Sequence, residues 1–455
     1  MYGTFVRKLM VLFSCGNTVC HFVRVGCYDF SESVIKAISD DAVMKQTSVI
    51  SIVAVAIIVI AAAAVLVMNN GDDGQDMDST KDFAGMDIVP VDDLENGIVA
   101  IGQDSFRWVT YFGLADKCVM VDMNDMTNYM GKSFMYVGKA QALTAHPDLR
   151  FTSTNCGITD SDVRTIINLN PSLIVVPAMF ENQYPQIMNS LREAGLNIFH
   201  IGYIYTFLEN GTFGMTSDLV KQIDDLSLVL NMQDRGQELK DLIDGTVSDI
   251  LSIRDRITER RTGYIGALAY NGAHGVDSSM TYYMPFELAG ITNIMLSDSD
   301  TADKDSHVGT YSATDISKGI RDDTILFLDA TGIYTCTTNT DKGILDLFAG
   351  HEAYVACPYI WIGMNYENVL VGAYQILHDA YGLLSDEELE QRIDAVYEGF
   401  LGTSGSLRNE AASSIPAPEA GTSVYDDMNN LYEGRRGNPI HGAVSVSSEG
   451  IVYLS

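Results

Sequence analysis

Apolar positions along the chain switch between short continuous runs and a three-and-four spacing, and this switching predicts its elements. The runs Ile98–Ile101, Cys118–Val121, Leu173–Val176 and Ile198–Ile201 read as buried strands separated by helix-like stretches. Such alternation indicates a parallel sheet in an α/β lobe. Leu219, Ile223, Leu226 and Leu230, then Leu239, Leu242 or Ile243, Val247, Ile250 or Leu251 and Ile257 keep one helix face, with Asn231 as an interruption. After Arg260 and Arg261 the strand pattern resumes at Tyr264–Leu268, Ile325–Leu328 and Tyr354–Ile362. An amphipathic helix follows through Val369, Ala373, Ile376 and Leu377. The expectation is an N-terminal α/β lobe over 93–215, an interlobe helix over 216–260 and a C-terminal α/β lobe over 261–402. A cleft between two such lobes is a concave site of the kind that takes a small molecule.

The flanks read differently. From Val49 to Met68 the chain carries no charge, and about 20 residues rising ~1.5 Å each span a bilayer core. Lys45 precedes this segment and Asp72, Asp73, Asp76 and Asp78 follow, which places residues 1–48 in the cytoplasm and the large remainder outside the cell membrane, single-pass. A cleaved signal peptide is the rival reading, since Ala61–Ala64 offer small residues to a peptidase. No cysteine follows until Cys118, so a lipid-modified cysteine has no candidate. Met44-Lys45-Gln46-Thr47 would make an ordinary start, leaving open a misassigned start upstream. Residues 69–92, rich in Asp, Gly and Asn, read as an acidic stalk. Residues 403–455 read as a Ser/Ala/Pro/Gly-rich linker and an appendage that stands apart or packs back onto a lobe.

Composition narrows the partners. A formal charge of −32 on 455 residues opposes nucleic acid, whose phosphates would be repelled, and sits more easily with a neutral or cationic ligand. The same acidity also serves solubility alone. Cys15, Cys20 and Cys27 with His21 match no zinc pattern. Cys118 and Cys156, and Cys336 and Cys357, stand either as disulfides within each half or as free thiols. His146, His200, His274, His307 and His351 are scattered, which gives no metal site held directly by protein. No Walker A, G-x-S-x-G, H-E-x-x-H or G-x-G-x-x-G sequence is present, so the chain reads as non-catalytic.

Several local motifs then recur in a recognisable order. Tyr136-Val137-Gly138, Ile166-Ile167-Asn168-Leu169-Asn170-Pro171-Ser172-Leu173-Ile174-Val175, Leu191 to Ile198, Leu228 to Leu242, Leu288-Ala289-Gly290-Ile291-Thr292-Asn293 and Asp315 to Asp329 together resemble the ABC-transporter substrate-binding proteins for iron-siderophore complexes and cobalamin, over roughly residues 97–400. Ser172 stands where that family has Asp, and Asp322-Asp323 where it has Pro-Asp. The resemblance implies two Rossmann-like lobes of the class III periplasmic-binding type, preceded here by one transmembrane helix. It further implies an iron chelate (siderophore or haem) or a corrinoid such as cobalamin as ligand, and an ABC permease with its ATPase subunit as partners. Family members dock through one acid on each lobe, which selects Asp315 in the second lobe. In the first lobe the matching position is Arg164, with Asp160 and Asp162 close by, and these acids serve equally well as helix caps.

In an α/β lobe the loops at the carboxyl ends of strands face the cleft. That rule selects Gln103 to Trp108, including Arg107 and Trp108, with Tyr129, Asn155, Tyr203 and Tyr205 in the first lobe. It selects Tyr270, Asn271, His274, Tyr311, Tyr334 and Trp361 in the second. Tyrosine and tryptophan offer rigid area to a bulky chelate, and His274 could ligate a metal held in one. Two other functions stay open: a two-lobed metalloprotein related to chelatases or nitrogenase-type subunits, and a surface protein that uses the fold to hold a partner.

Overall fold

The computed structural model describes residues 80–127, 136, 148–269, 274–296, 308–360, 363–402, 419–427 and 442–454. The expected membrane segment at 49–68 lies outside the described residues, and among those described no helix is long and apolar enough to cross a membrane.

The N-terminal lobe runs β1 (Ile98–Ala100), α1 (Ser105–Tyr111), β2 (Cys118–Val121), β3 (Arg150–Phe151), α2 (Asp160–Leu169), β4 (Leu173–Pro177), α3 (Pro185–Glu193) and β5 (Ile198–Ile201). Its strands form a parallel sheet in the order β3-β2-β1-β4-β5. Alternate residues of β1 serve opposite layers: Ile98 and Ala100 join the cluster around Val109 and Phe112, whereas Val99 and Ile101 pack with Ile166, Met188 and Leu191. Burial on both faces is why such strands read as continuous apolar runs.

The interlobe segment is two helices rather than one. In α4 (Ser217–Leu230) the chain is capped by Asn231 at φ 54°, whose N–H returns to the carbonyls of Leu228 and Ser227, and α5 (Gln233–Arg254) then starts. Asparagine tolerates this left-handed conformation better than most residues.

The C-terminal lobe comprises β6 (Thr262–Gly266), β7 (Ser278–Met280), α6 (Met284–Ala289), β8 (Thr292–Asn293), β9 (Val308–Thr310), α7 (Ala313–Gly319), β10 (Ile325–Asp329), α8 (Asn339–Leu347), β11 (Ala353–Ala356), α9 (Tyr366–Asp379) and α10 (Asp386–Leu401). A parallel sheet of order β8-β6-β10-β11 carries it, and β7 pairs separately with β9, antiparallel. The last strand stops at Ala356, short of the expected Ile362, because the Tyr359 backbone is drawn to Asp329 instead of continuing the ladder.

One hydrophobic cluster extends from β1 and α1 through α4 and α5 into α6, α9 and α10, so the two lobes share their base. Each lobe is also completed by a segment from outside it. Residues 80–92 were expected as stalk, yet they are bound to the N-terminal lobe. Asp82 is buried and accepts from the N–H and Nδ1 of His200, the latter at 2.6 Å. The Val91 N–H donates to Val229, and the Phe83 ring lies where a Cβ on Gly202 would stand. The acidic composition suggested solvation, but its carboxylate is paired and its apolar residues dock. On the other lobe, β12 (Val444–Ser447) and β13 (Gly450–Tyr453) form a hairpin whose Val444, Val446, Ile451 and Tyr453 share a core with Tyr264, Leu326 and Phe348. The Val355 N–H donates to Gly442, so the edge of β11 is covered. The appendage therefore packs back onto the lobe.

Candidate interlobe site

All strands of each main sheet run parallel, so their carboxyl ends collect on one edge. In the N-terminal lobe Asp122, directly after β2, accepts from the N–H groups of Gly102 at 3.0 Å, Asn124 at 2.9 Å and Cys156 at 3.1 Å. Asp329, the last residue of β10, accepts from the Thr331 N–H at 2.8 Å, the Thr331 hydroxyl and the Tyr359 N–H at 3.0 Å. Burial raises both carboxyls, against the pull of those donors, and brings Asp329 up to about 7. Among the non-glycine residues that hold left-handed backbone on this edge are Asp104 at φ 67° and Ala267 at φ 63°, beside Cys156 at φ 48° after β3. Asp104 and Ala267 each follow the first strand of their lobe, in a conformation that persists only when its surroundings fix it.

Between the lobes lies a buried polar knot. Arg107 is fully buried, donates to the Met364 carbonyl at 3.0 Å, pairs with Asp104 and stands 4.7 Å from the centre of the Tyr136 ring. The Tyr111 hydroxyl donates to the Glu367 carboxylate, and the Tyr366 hydroxyl to the Ile204 carbonyl at 2.9 Å. Trp108 packs against Tyr366 and edge-on to Tyr111, with centroids 5.3 and 5.5 Å apart. Gly363, at φ 107°, presses so closely on the Asp104 carboxylate that a Cβ has no room there. Burial lifts the Glu367 carboxyl although Arg107 and Tyr111 oppose it, and burial followed by repulsion from Asp122 lifts Asp125 well above the carboxylate range. Arg107 and Trp108 are therefore buried where the lobes join. Helix α1 turns them inward from the edge, a direction the position after a strand does not reveal.

Other expected residues do reach the edge. Tyr203 and Tyr205, beyond β5, stack with centroids 6.0 Å apart and planes 7° from parallel, and Tyr205 is 37% exposed. The Tyr203 hydroxyl donates to Gln103. Burial first, with Tyr205 adding to it, raises the phenols of Tyr359 and Tyr366, so Tyr205 stands near these residues of the C-terminal lobe. Asn155 is exposed after β3. His274 is half-buried, and its carbonyl accepts from Thr335 at 2.7 Å. Tyr311 is half-buried against the second core. Tyr129, Tyr270, Asn271 and Trp361 lie outside the described residues.

The docking candidates part company. Asp162 is buried as the third residue of α2 and accepts from the backbone of Ser153 and Thr159 and from both their hydroxyls. Such a capping box leaves Asp162 facing inward rather than toward a partner. Asp315 is exposed, held by Ser312 and Lys318. The four described cysteines are free thiols, three of them buried; burial pushes Cys156 up to about 12. Among the described residues no three His, Cys, Asp or Glu side chains converge on a metal position. Sequence reasoning missed Asp122, Asp329 and Tyr359. Asp122 and Asp329 end apolar runs, and a carboxylate at the end of a buried strand is the signal that could have found them.

No protein-family model matches the chain, and no curated protein sequence matches it. Solved structures do. A periplasmic solute-binding protein from Veillonella parvula aligns with a TM-score of 0.51 at 14% identity, over 79% of this chain and 98% of that one. The molybdate periplasmic binding protein MolA of Haemophilus influenzae, solved with molybdate, aligns with a TM-score of 0.50 at 13% identity, over 72% and 98%. The fold is that of periplasmic solute-binding proteins. This likeness accounts for the two parallel sheets and the helices that bridge them.

Proposed function

We propose that this chain is the extracytoplasmic solute-binding component of an ABC importer, which captures an iron chelate (siderophore or haem) or a corrinoid between its lobes and delivers it to a permease driven by a separate ATPase. The observation that carries the reading is the pair of parallel sheets with facing carboxyl edges, tied at the base by α4 and α5. In this reading Tyr203 and Tyr205, after β5, and Tyr359, after β11, line the two carboxyl edges. In this reading the segment at 49–68 anchors the protein to the membrane, and Asp315 supplies the docking acid of the second lobe. The buried knot around Arg107 fixes the lobes at their base, so a ligand enters a largely preformed site and little binding energy goes into ordering it.

The test is native mass spectrometry and absorption spectroscopy of the protein mixed in turn with ferric hydroxamate, ferric catecholate, haem and cobalamin. A one-to-one complex with one class establishes capture. Absence of a complex with all four sinks this reading.

A further inference from the structure

We propose that the C-terminal lobe holds one buried water molecule on the inner face of α9, bound through the side-chain amide of Gln375. Helix α9 is buried along Tyr366 to Leu377 and packs against β11, α5, α6 and α10, so a polar side chain near its middle has no route to bulk solvent. Gln375 is 2% exposed, and among the described residues neither its Oε1 nor its Nε2 meets a hydrogen-bond partner. Burying an amide in that state costs its hydration with nothing in return, whereas buried polar groups of folded proteins are as a rule satisfied by protein or by ordered water.

The helix itself makes room for that partner. Gly372, Gln375, Ile376 and Asp379 recur at three-and-four spacing and so share one face, and with Phe327 of β10 and Cys357 beyond β11 they line a cavity of about 10 Å³. A space of that size takes a single water and nothing larger. Gly372 keeps it open: a Cβ there would meet Pro285 at 3.5 Å and Cys357 at 3.8 Å, ordinary contacts, so a methyl would enter without strain. The Gln375 amide offers the water both a donor and an acceptor. One turn along, the Asp379 carboxylate, 6% exposed and 2.7 Å from the His378 ring, adds further acceptor capacity. Two polar side chains against an apolar wall meet the need of a buried water for at least two partners. The lining belongs to the C-terminal lobe alone, so the inference stands whatever ligand the interlobe edge takes.

The experiment is thermal melting of the full chain with Gly372→Ala made in two backgrounds. The added methyl takes the place of the water. In the wild-type background Gly372→Ala should lower the melting temperature by about 1–3 °C, because expelling the water strands the amide. In the Gln375→Leu background no amide remains to be stranded, and the same change should raise the melting temperature by a similar amount, as alanine does in place of glycine within a helix. A dry cavity predicts a rise in both. The same sign of shift in both backgrounds would overturn the inference. A crystal structure of the full chain supplies an independent measurement: an ordered water within hydrogen-bond distance of the Gln375 amide is expected, and its loss in Gly372→Ala. A cavity without density, or one filled by a cation whose removal by dialysis lowers the melting temperature, would also overturn it.

Discussion

In the N-terminal lobe Asp122 ties together the turns after β1, β2 and β3 through three backbone N–H groups. In the C-terminal lobe Asp329 holds the turn at Thr331 twice, once through a hydroxyl, and reaches one further loop through Tyr359. Both are buried carboxylates at the end of a central strand. Asp329 holds fewer loops and is poised near neutral pH. The two lobes also differ in what completes them: a short N-terminal segment clipped by Asp82 and His200, against a C-terminal hairpin that supplies part of a core. The comparison teaches that both lobes are completed by chain from outside them, a clipped segment in one and a shared core in the other, and that buried carboxyls hold the loops of each.

The largest effect should come from deleting residues 403–455. Val424, Val444, Val446, Ile451 and Tyr453 are all buried, and at about 1.5–3 kcal/mol for each buried side chain the loss is comparable to the whole stability of an ordinary domain. Expression of the truncated chain should yield insoluble protein or one whose C-terminal lobe lacks a cooperative thermal transition. A melting curve like that of the full chain would break the comparison.

Next in size is the tie that joins the lobes. Arg107→Met leaves Asp104 and Glu367 buried without their cation, a change expected to destabilise by about 3–5 kcal/mol in chemical denaturation. If both lobes then unfold in separate transitions, the knot is what couples them.

Asp329 sharpens the difference in pH response. Its folded-state pKa of about 7 lies above the ordinary 3.8, so the fold binds a proton that the unfolded chain releases. This contribution to stability is fully present below pH ~4 and is lost as pH rises through ~7, on the order of 4 kcal/mol at ~1.4 kcal/mol per unit. Asp329→Asn should flatten the stability profile between these limits. A profile with the wild-type slope would place the titration elsewhere.

The smallest effect expected is that of Asp82→Ala, about 1–3 kcal/mol for the acceptor lost to His200, Ala84 and Met86. Limited proteolysis should then cut within residues 80–92 while the rest of the N-terminal lobe stays protected.

Much of this architecture was legible beforehand for a physical reason: a parallel strand buried on both faces must be apolar throughout, and a helix on a sheet must repeat its apolar face. Thus Ile98–Ala100, Leu173–Pro177 and Ile325–Asp329 stand close to where their residues put them, and Asn231 ends a helix where its tolerance of positive φ allows. The motif order that resembles solute-binding proteins agrees with a fold shared at only 14% identity. The site was harder to read. A position after a strand indicates the correct edge but not the direction of the side chain, which is why Tyr203 and Tyr205 reach that edge while Arg107 and Trp108 turn into the base.

What the sequence determined by itself is therefore the set of layers: which segments form strands, which form helices, and that two α/β units share one chain. Tertiary structure alone decided that an acidic segment at 80–92 and a remote hairpin at 444–453 each complete a lobe, and that one arginine is matched by Asp104 and Glu367. Periodicity is a local property set by backbone geometry. The pairing of a buried charge depends on groups hundreds of residues away, as Arg107 and Met364 show, and only the folded chain brings them together.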